Sequence, residues 1–232
     1  MRLAPQHSAG ITWPLLPGVT ATLTDRALVV ESSSPLSVLS SAVVGGGFRR
    51  THHIVNYHVP RTYDSIHPQV DLVAFARDSG IPRPFIGLMT AVPMDRTHLV
   101  TKTNDGITAA VLATVGLDNL ASPGFTIPAS RRPGTINLIV LLDAALTPSA
   151  LVNALTLITE AKTLWLLERS LTATDGHWAT GTSTDAVAIA CTRHGQRVRY
   201  AGPATPVGWL LGRCVREVLE QSRDSKEEPD DS

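Results

Sequence analysis

The stretch that decides the fold is His98-Leu99-Val100-Thr101-Lys102-Thr103, then Asn104-Asp105-Gly106, then Ile107-Thr108-Ala109-Ala110-Val111-Leu112-Ala113-Thr114-Val115. Two runs of apolar and β-branched residues flank a tight-turn sequence, the signature of a hairpin. Strands joined by so short a turn are antiparallel, so a purely parallel, doubly wound sheet is a poor description of this chain.

Working outward towards the N-terminus, Phe85–Val92 reads as a strand and Pro68–Ser79 as a helix, with Pro68 at its first turn and Gly80 ending it. His53–Val59 is strand-like and stops at Pro60, and the apolar run Leu36–Val44 is closed by Gly45-Gly46-Gly47. Ile11–Leu16, Ala21–Leu23 and Ala27–Glu31 are short strand-like runs broken by Pro14, Pro17, Gly18 and Asp25-Arg26. Towards the C-terminus, Thr135–Leu142 is a buried strand and Thr147-Pro148 caps a helix that reaches about Arg169. Ala186–Cys191 is a strand, with Val198–Ala201 expected as its hairpin partner across His194-Gly195. Thr205-Pro206 opens a last helix whose Val207, Leu210, Leu211, Cys214, Val215 and Val218 share one face. The expected class is α+β: a mixed, largely antiparallel sheet or sheets covered by helices, layered as one domain over residues 1–221. The acidic segment 222–232 is expected to be a solvated, disordered tail.

Composition narrows the function classes. The 232 residues are 43% hydrophobic and 17% charged, enough to bury a core without disulfides or metal. Twenty basic and twenty acidic residues balance, which argues against nucleic acid as the main partner. No unbroken apolar run approaches about 18 residues, and Pro5, His7 and Ser8 stand where a secretory signal needs an apolar core. Cys191 and Cys214, without a C-x-x-C, fit a reducing compartment, so a cytoplasmic protein is expected. Both cysteines fall on apolar faces and read as core residues.

Four stretches could carry chemistry. From Thr147 to Glu168 the charges are Glu160, Lys162 and Glu168 alone, so the helix is expected to be buried nearly all round. Glu160 and Lys162 lie about 200° apart on its axis and cannot pair with each other. Each therefore needs a structural partner elsewhere, or Glu160 lines a cavity and handles a proton. Thr180-Gly181-Thr182-Ser183-Thr184-Asp185 gathers hydroxyls, a glycine and a carboxylate: loop chemistry, or a site with a nucleophile and base. Gly45-Gly46-Gly47 lacks the Gly-Lys-Ser/Thr of a phosphate loop and permits a sharp turn or a flat ligand. His52-His53-Ile54-Val55-Asn56-Tyr57-His58 puts His52, Asn56 and His58 on one strand face and His53 on the other, with no third ligand at zinc-binding spacing.

The order of several motifs resembles one family, the adenosylcobinamide amidohydrolases of corrinoid salvage. The resembling stretches include Ser40–Phe48, His53–Asn56 with Val59-Pro60, Gly87–Val92, Thr114–Asn119, Gly134–Asn137, Thr159–Thr163, Ala179–Asp185 and Tyr200–Gly202. The resemblance implies a hydrolase that cleaves adenosylcobinamide to adenosylcobyric acid and 1-aminopropan-2-ol. It implies Glu160, Asp185, His53 and Thr182 as catalytic candidates. Gly46, Gly47, Asn56, Asn119, Thr135, Asn137, Lys162 and Thr184 become candidates for binding substrate. It implies no metal site and no cofactor, cobalt arriving only inside the corrinoid. The family pattern has an asparagine where Gly45 stands and a histidine near Ala204. A water activated by Glu160, Asp185 or His53 is the first mechanism, and a Thr or Ser nucleophile from the Thr180–Thr184 loop the second. A corrinoid-binding module without hydrolysis and a Ser/Thr hydrolase of another small amide stay open. The expected partner is the small corrinoid, with neither nucleic acid nor membrane. Gly208 and Gly212, four apart on the last helix, permit a close neighbour in the same chain or in a homo-oligomer.

Overall fold

The computed structural model of the chain describes residues 10–127 and 134–224. In chain order its strands are β1 (Ile11–Leu16), β2 (Val19–Leu23), β3 (Ala27–Ser40), β4 (Gly47–His58), β5 (Phe85–Thr90), β6 (Thr97–Asn104), β7 (Ile107–Val115), β8 (Leu120–Ala121), β9 (Ile136–Leu142), β10 (Ala145–Leu146), β11 (Gly181–Thr182), β12 (Ala186–Cys191) and β13 (Arg197–Val198). Helix α1 (Pro68–Asp78) follows β4, α2 (Pro148–Glu168) follows β10, and α3 (Pro206–Asp224) follows β13. The class is α+β, with a mixed and mostly antiparallel sheet.

The hairpin closes as its residues dictate. Asn104 pairs with Ile107, leaving Asp105 (φ 51) and Gly106 (φ 71) as a two-residue turn with both φ values positive. From β6 the main sheet runs β6-β7-β9-β12-β3-β2-β1, and β4 and β5 extend from β3. The β9–β12 and β4–β5 pairs are parallel, and the others in this sheet antiparallel.

Side-chain alternation sorts this sheet into layers. Val111, Leu138, Val140, Val187 and Ile189 face α2 and α3, packing with Leu151, Ile158, Trp165, Leu210 and Val215. The alternate residues Ala110, Leu112, Ile139, Leu141 and Ala188 face the opposite way, against Leu28, Val30, Ile54 and Leu88 of β3, β4 and β5. On the far side of those strands, Ala27, Val55 and Phe85 pack with Leu72, Phe75 and Ala76 of α1. The result is four layers: two helices, sheet, sheet, one helix. Strands buried on both faces read as continuous apolar runs rather than alternating ones, as β7, β9 and β12 do.

Four expectations are corrected. Leu36–Ser40 is no separate strand; β3 continues through an irregularity between Glu31 and Leu36, and its second half pairs with β4 residues 47–51. β13 does not form a hairpin with β12 but pairs in parallel with β10. α2 is not buried all round. Ala150, Leu151, Ala154, Ile158, Lys162 and Trp165 are buried, whereas Val152, Leu164 and Leu167 are exposed. By length and composition α2 could cross a membrane, a test that core helices also pass. Finally, Ser222, expected in the solvated tail, is buried within α3; residues 225–232, and with them most of the acidic tail, lie outside the described residues. Cap grammar holds for α2, where the Thr147 hydroxyl accepts the Ala150 N–H at 3.2 Å. Gly208 packs against the Gly202 carbonyl of its own chain, where a side chain would not fit.

Candidate active site

The C-terminal end of α2, the 180–185 turn and the start of β9 converge at one carboxylate. Asp185 Oδ2 pairs with Lys162 Nζ and accepts the Thr182 N–H at 3.1 Å. Its Oδ1 accepts the Ile136 N–H at 3.0 Å and the Thr182 hydroxyl. Lys162 and Asp185 side chains are 8% and 13% exposed. A carboxylate offers about four lone-pair sites, and here all four are taken. Asp185 is thus a strut that holds the backbone of Ile136, the residue after Thr135. Gly181 sits over the pair: a Cβ there would strike Asp185 Oδ2 and lie 2.7 Å from Lys162 Nζ.

Thr135 is 4% exposed, its Oγ1 3.0 Å from Asn137 Oδ1 and 2.8 Å from the Thr184 carbonyl. The Thr184 hydroxyl donates to the Gly134 carbonyl at 2.6 Å, and Asn119 Nδ2 donates to Ser183 Oγ at 2.8 Å. Asn137 Nδ2 in turn donates to Asn56 Oδ1 and to the Met89 carbonyl, both at 2.8 Å. Seven of the residues singled out in the sequence therefore form one connected cluster: Asn56, Thr135, Asn137, Lys162, Thr182, Thr184 and Asp185. Asn119 joins it through Thr184, whose Oγ1 accepts from Asn119 Nδ2 at 3.4 Å.

Two cavities flank this cluster. One, of about 430 Å³, is lined by Val43, Val59, Ile66, Met89, Thr135 and Thr184 among others. Its outer wall is the segment from β4 to α1, including Tyr63, Ser65 and Gln69. That segment is braced where the Tyr63 hydroxyl donates to Asp71 Oδ2 at 2.6 Å. Burial, with the Asp71 contact behind it, pushes the Tyr63 phenol up to about 12, while the Tyr63 hydrogen bond draws the Asp71 carboxyl below its usual range. Nothing in residues 60–67 announced this wall in advance; the segment has no periodicity and no motif beyond Val59-Pro60. The other cavity, of about 510 Å³, lies on the far side of the 180–185 turn, against Ser122, Thr126, Thr159, Lys162, Thr163 and Thr182.

Other expectations fall elsewhere. Glu160 is exposed on α2 and lines neither cavity. His53 lies on the opposite face of β4 from Asn56, its Nε2 3.9 Å from Glu31 Oε1. Gly46 and Gly47 close the turn between β3 and β4, but the residue this turn sends into the 430 Å³ cavity is Val43. Gly45 (φ 73) has the Phe85 carbonyl 2.5 Å from where a Cβ would stand, so no side chain fits at this position. Ala204 lines a separate cavity with Asn104, Pro203 and Trp209. Among the described residues no three His, Cys, Asp or Glu side chains come together.

Fold and cluster define the class: a layered α+β protein whose hydroxyl, amide and ion-pair groups meet at a wall between two clefts. A family model described as adenosylcobinamide amidohydrolase matches residues 17–230. The chain is similar to the adenosylcobinamide amidohydrolase of Methanosarcina mazei, 34% identical over 184 residues that cover 75% of this chain and 84% of that protein. It is also similar to the adenosylcobinamide amidohydrolase of Halobacterium salinarum, 42% identical over 125 residues; that match spans 51% of each. The chain belongs to the adenosylcobinamide amidohydrolase family, a family of amide-hydrolysing enzymes. Among solved structures it resembles the PH0078 protein of Pyrococcus horikoshii in fold alone, with a TM-score of 0.51 and 11% identity, covering 92% of this chain and 82% of that one.

Proposed function

We propose that this chain hydrolyses the amide between a corrin-ring propionyl side chain and 1-aminopropan-2-ol in adenosylcobinamide. The products are adenosylcobyric acid and the free amino alcohol, and Thr135 is the nucleophile. Family membership supports the reaction; the observation that carries the assignment is Thr135 in the wall of the 430 Å³ cavity, its hydroxyl backed by Asn137 and its neighbour Ile136 held by the strut at Asp185. The carboxylate- or histidine-activated water is less well supported: Glu160 is exposed and off the cleft, His53 is on the wrong strand face, and Asp185 is saturated.

In this reading Thr135 Oγ adds to the amide carbonyl carbon and its proton passes to the departing nitrogen. The C–N bond breaks, the amino alcohol leaves, and an ester on Thr135 remains. Water hydrolyses that ester, releasing the carboxylic acid and restoring the hydroxyl. Thr184 lines the same cavity wall, with its hydroxyl hydrogen engaged by the Gly134 carbonyl. The apolar lining of Val43, Val59, Ile66 and Met89 suits the flat side of a macrocycle, and hydroxyls beyond the turn suit its amide fringe. The protein contributes no cofactor of its own; cobalt belongs to the substrate.

The test is incubation of the purified protein with adenosylcobinamide, in buffer and in excess chelator, with mass-spectrometric detection of 1-aminopropan-2-ol. Equal release in both supports the reading. Tight binding without release replaces it with a binding module, and release abolished by chelator removes the metal-free mechanism.

A further inference from the structure

We propose that Asn137, Asn56 and Thr114 form a buried relay that fixes the direction of the Thr135 hydroxyl, and that all three are positioning residues that never touch substrate. This rests on the reading of Thr135 as nucleophile. Asn56, Asn137 and Thr114 are each 1% exposed. They stand on β4, β9 and β7, between the two sheet layers, where their neighbours Ile54, Leu112 and Ile139 are core residues. Binding candidates read from the sequence at Asn56 and Asn137 are thus closed off from the cleft.

The relay has one consistent orientation. The Met89 carbonyl can only accept, so the Asn137 side-chain atom 2.8 Å from it is the amide nitrogen. That nitrogen spends its second hydrogen on Asn56 Oδ1, also at 2.8 Å. Asn56 must then turn its own nitrogen to Thr114 Oγ1, at 3.0 Å. Asn137 Oδ1 is left facing Thr135 Oγ1 at 3.0 Å, an acceptor held in place by the Met89 carbonyl of β5. Flipping Asn137 would set its oxygen against the Met89 carbonyl, and flipping Asn56 would set its nitrogen against the Asn137 nitrogen. Before reaction the Thr135 proton is thereby held toward Asn137 Oδ1 or the Thr184 carbonyl, leaving a lone pair for attack; it leaves that hydrogen bond for the departing nitrogen only as the Oγ–C bond forms.

Such a polar file between apolar sheets costs desolvation that leucine or valine would avoid, and full saturation confines it to one geometry. It meets the cavity wall at Thr135 and at Met89.

The experiment measures kcat and KM on adenosylcobinamide for Asn137→Ala and Asn56→Ala, normalised to folded protein. Expected are losses in kcat of at least about tenfold, larger for Asn137, with KM held within about twofold. A structural role alone would lower the folded fraction and leave kcat per folded molecule unchanged, which overturns the relay. Should either variant fail to fold, Thr114→Val keeps the shape and removes only the acceptor for Asn56. It is expected to lower kcat several-fold at constant KM, and normal kcat overturns the proposal. Thr135→Ala separates the two claims: normal turnover there removes the nucleophile reading, whereas an inactive Thr135→Ala beside a fully active Asn137→Ala sinks the relay alone.

Discussion

Lys162 and Asp185, 23 residues apart, meet as a buried ion pair whose carboxylate also carries the backbone of Ile136 and Thr182. The pair ties α2 to the 180–185 turn and to the first residues of β9, and so fixes where Thr135 stands. Breaking a buried pair from one side strands the other charge, at a cost of about 3–5 kcal/mol. Asp185→Ala is predicted to destabilise by that amount, since it strands the ammonium and two N–H groups. Lys162→Met leaves the carboxylate three donors and is predicted to cost about half as much or less. Guanidinium unfolding of both variants checks the order; equal losses would show that the backbone contacts of Asp185 add nothing.

Gly181 is the roof of that pair. Gly181→Ala is predicted to cost about 1–3 kcal/mol through overpacking, because the added methyl meets Asp185 Oδ2 and Lys162 Nζ and must displace the ion pair. Thermal unfolding and turnover measured together should fall in this one-methyl variant.

Glu160→Gln and His53→Gln are predicted to leave kcat within about twofold of the parent, since neither group lines the cavity that holds Thr135. A tenfold loss in either, with folding intact, would bring that residue back into the chemistry.

Much of the fold was legible because it is written locally. The Asn104–Ile107 turn, the Thr147 cap and the one-sided stripe of α3 each depend on neighbours within a few residues, and each formed as its residues dictate. What escaped was non-local. The run of β3 through Glu31 and Leu36 is set by pairing with β4, and the partner of β13 by where β10 lies. The apolar outer face of α2 carries no sign that Val152 and Leu164 face outward. The site followed the same rule. Thr182, Thr184 and Asp185 share a turn and stood out together, but the partnership of Asn56 with Asn137 spans 81 residues. Glu160 attracted attention as a charge in an apolar helix, yet the buried position belongs to Lys162, two residues on.

His53 is predicted to give a pH signature in stability. Burial holds its pKa below the ordinary value; the Glu31 carboxylate opposes this and His52 adds to it. Below about 6.5 the unfolded chain takes up a proton that the folded chain refuses, so stability is full above that pH and declines as pH falls through the window beneath it. Urea midpoints between about pH 7 and pH 5 should decline less steeply in His53→Gln than in the parent. Identical slopes would show that His53 titrates alike in both states.

The claim on which the account stands is that Thr135 is the group that attacks the amide, and paired assays of Thr135→Ser and Thr135→Ala on adenosylcobinamide reach it most directly. The account predicts measurable release of 1-aminopropan-2-ol by the serine variant and a loss of at least about 10³-fold by the alanine variant, both folded as the parent. Release by Thr135→Ala at the parent's rate would contradict it.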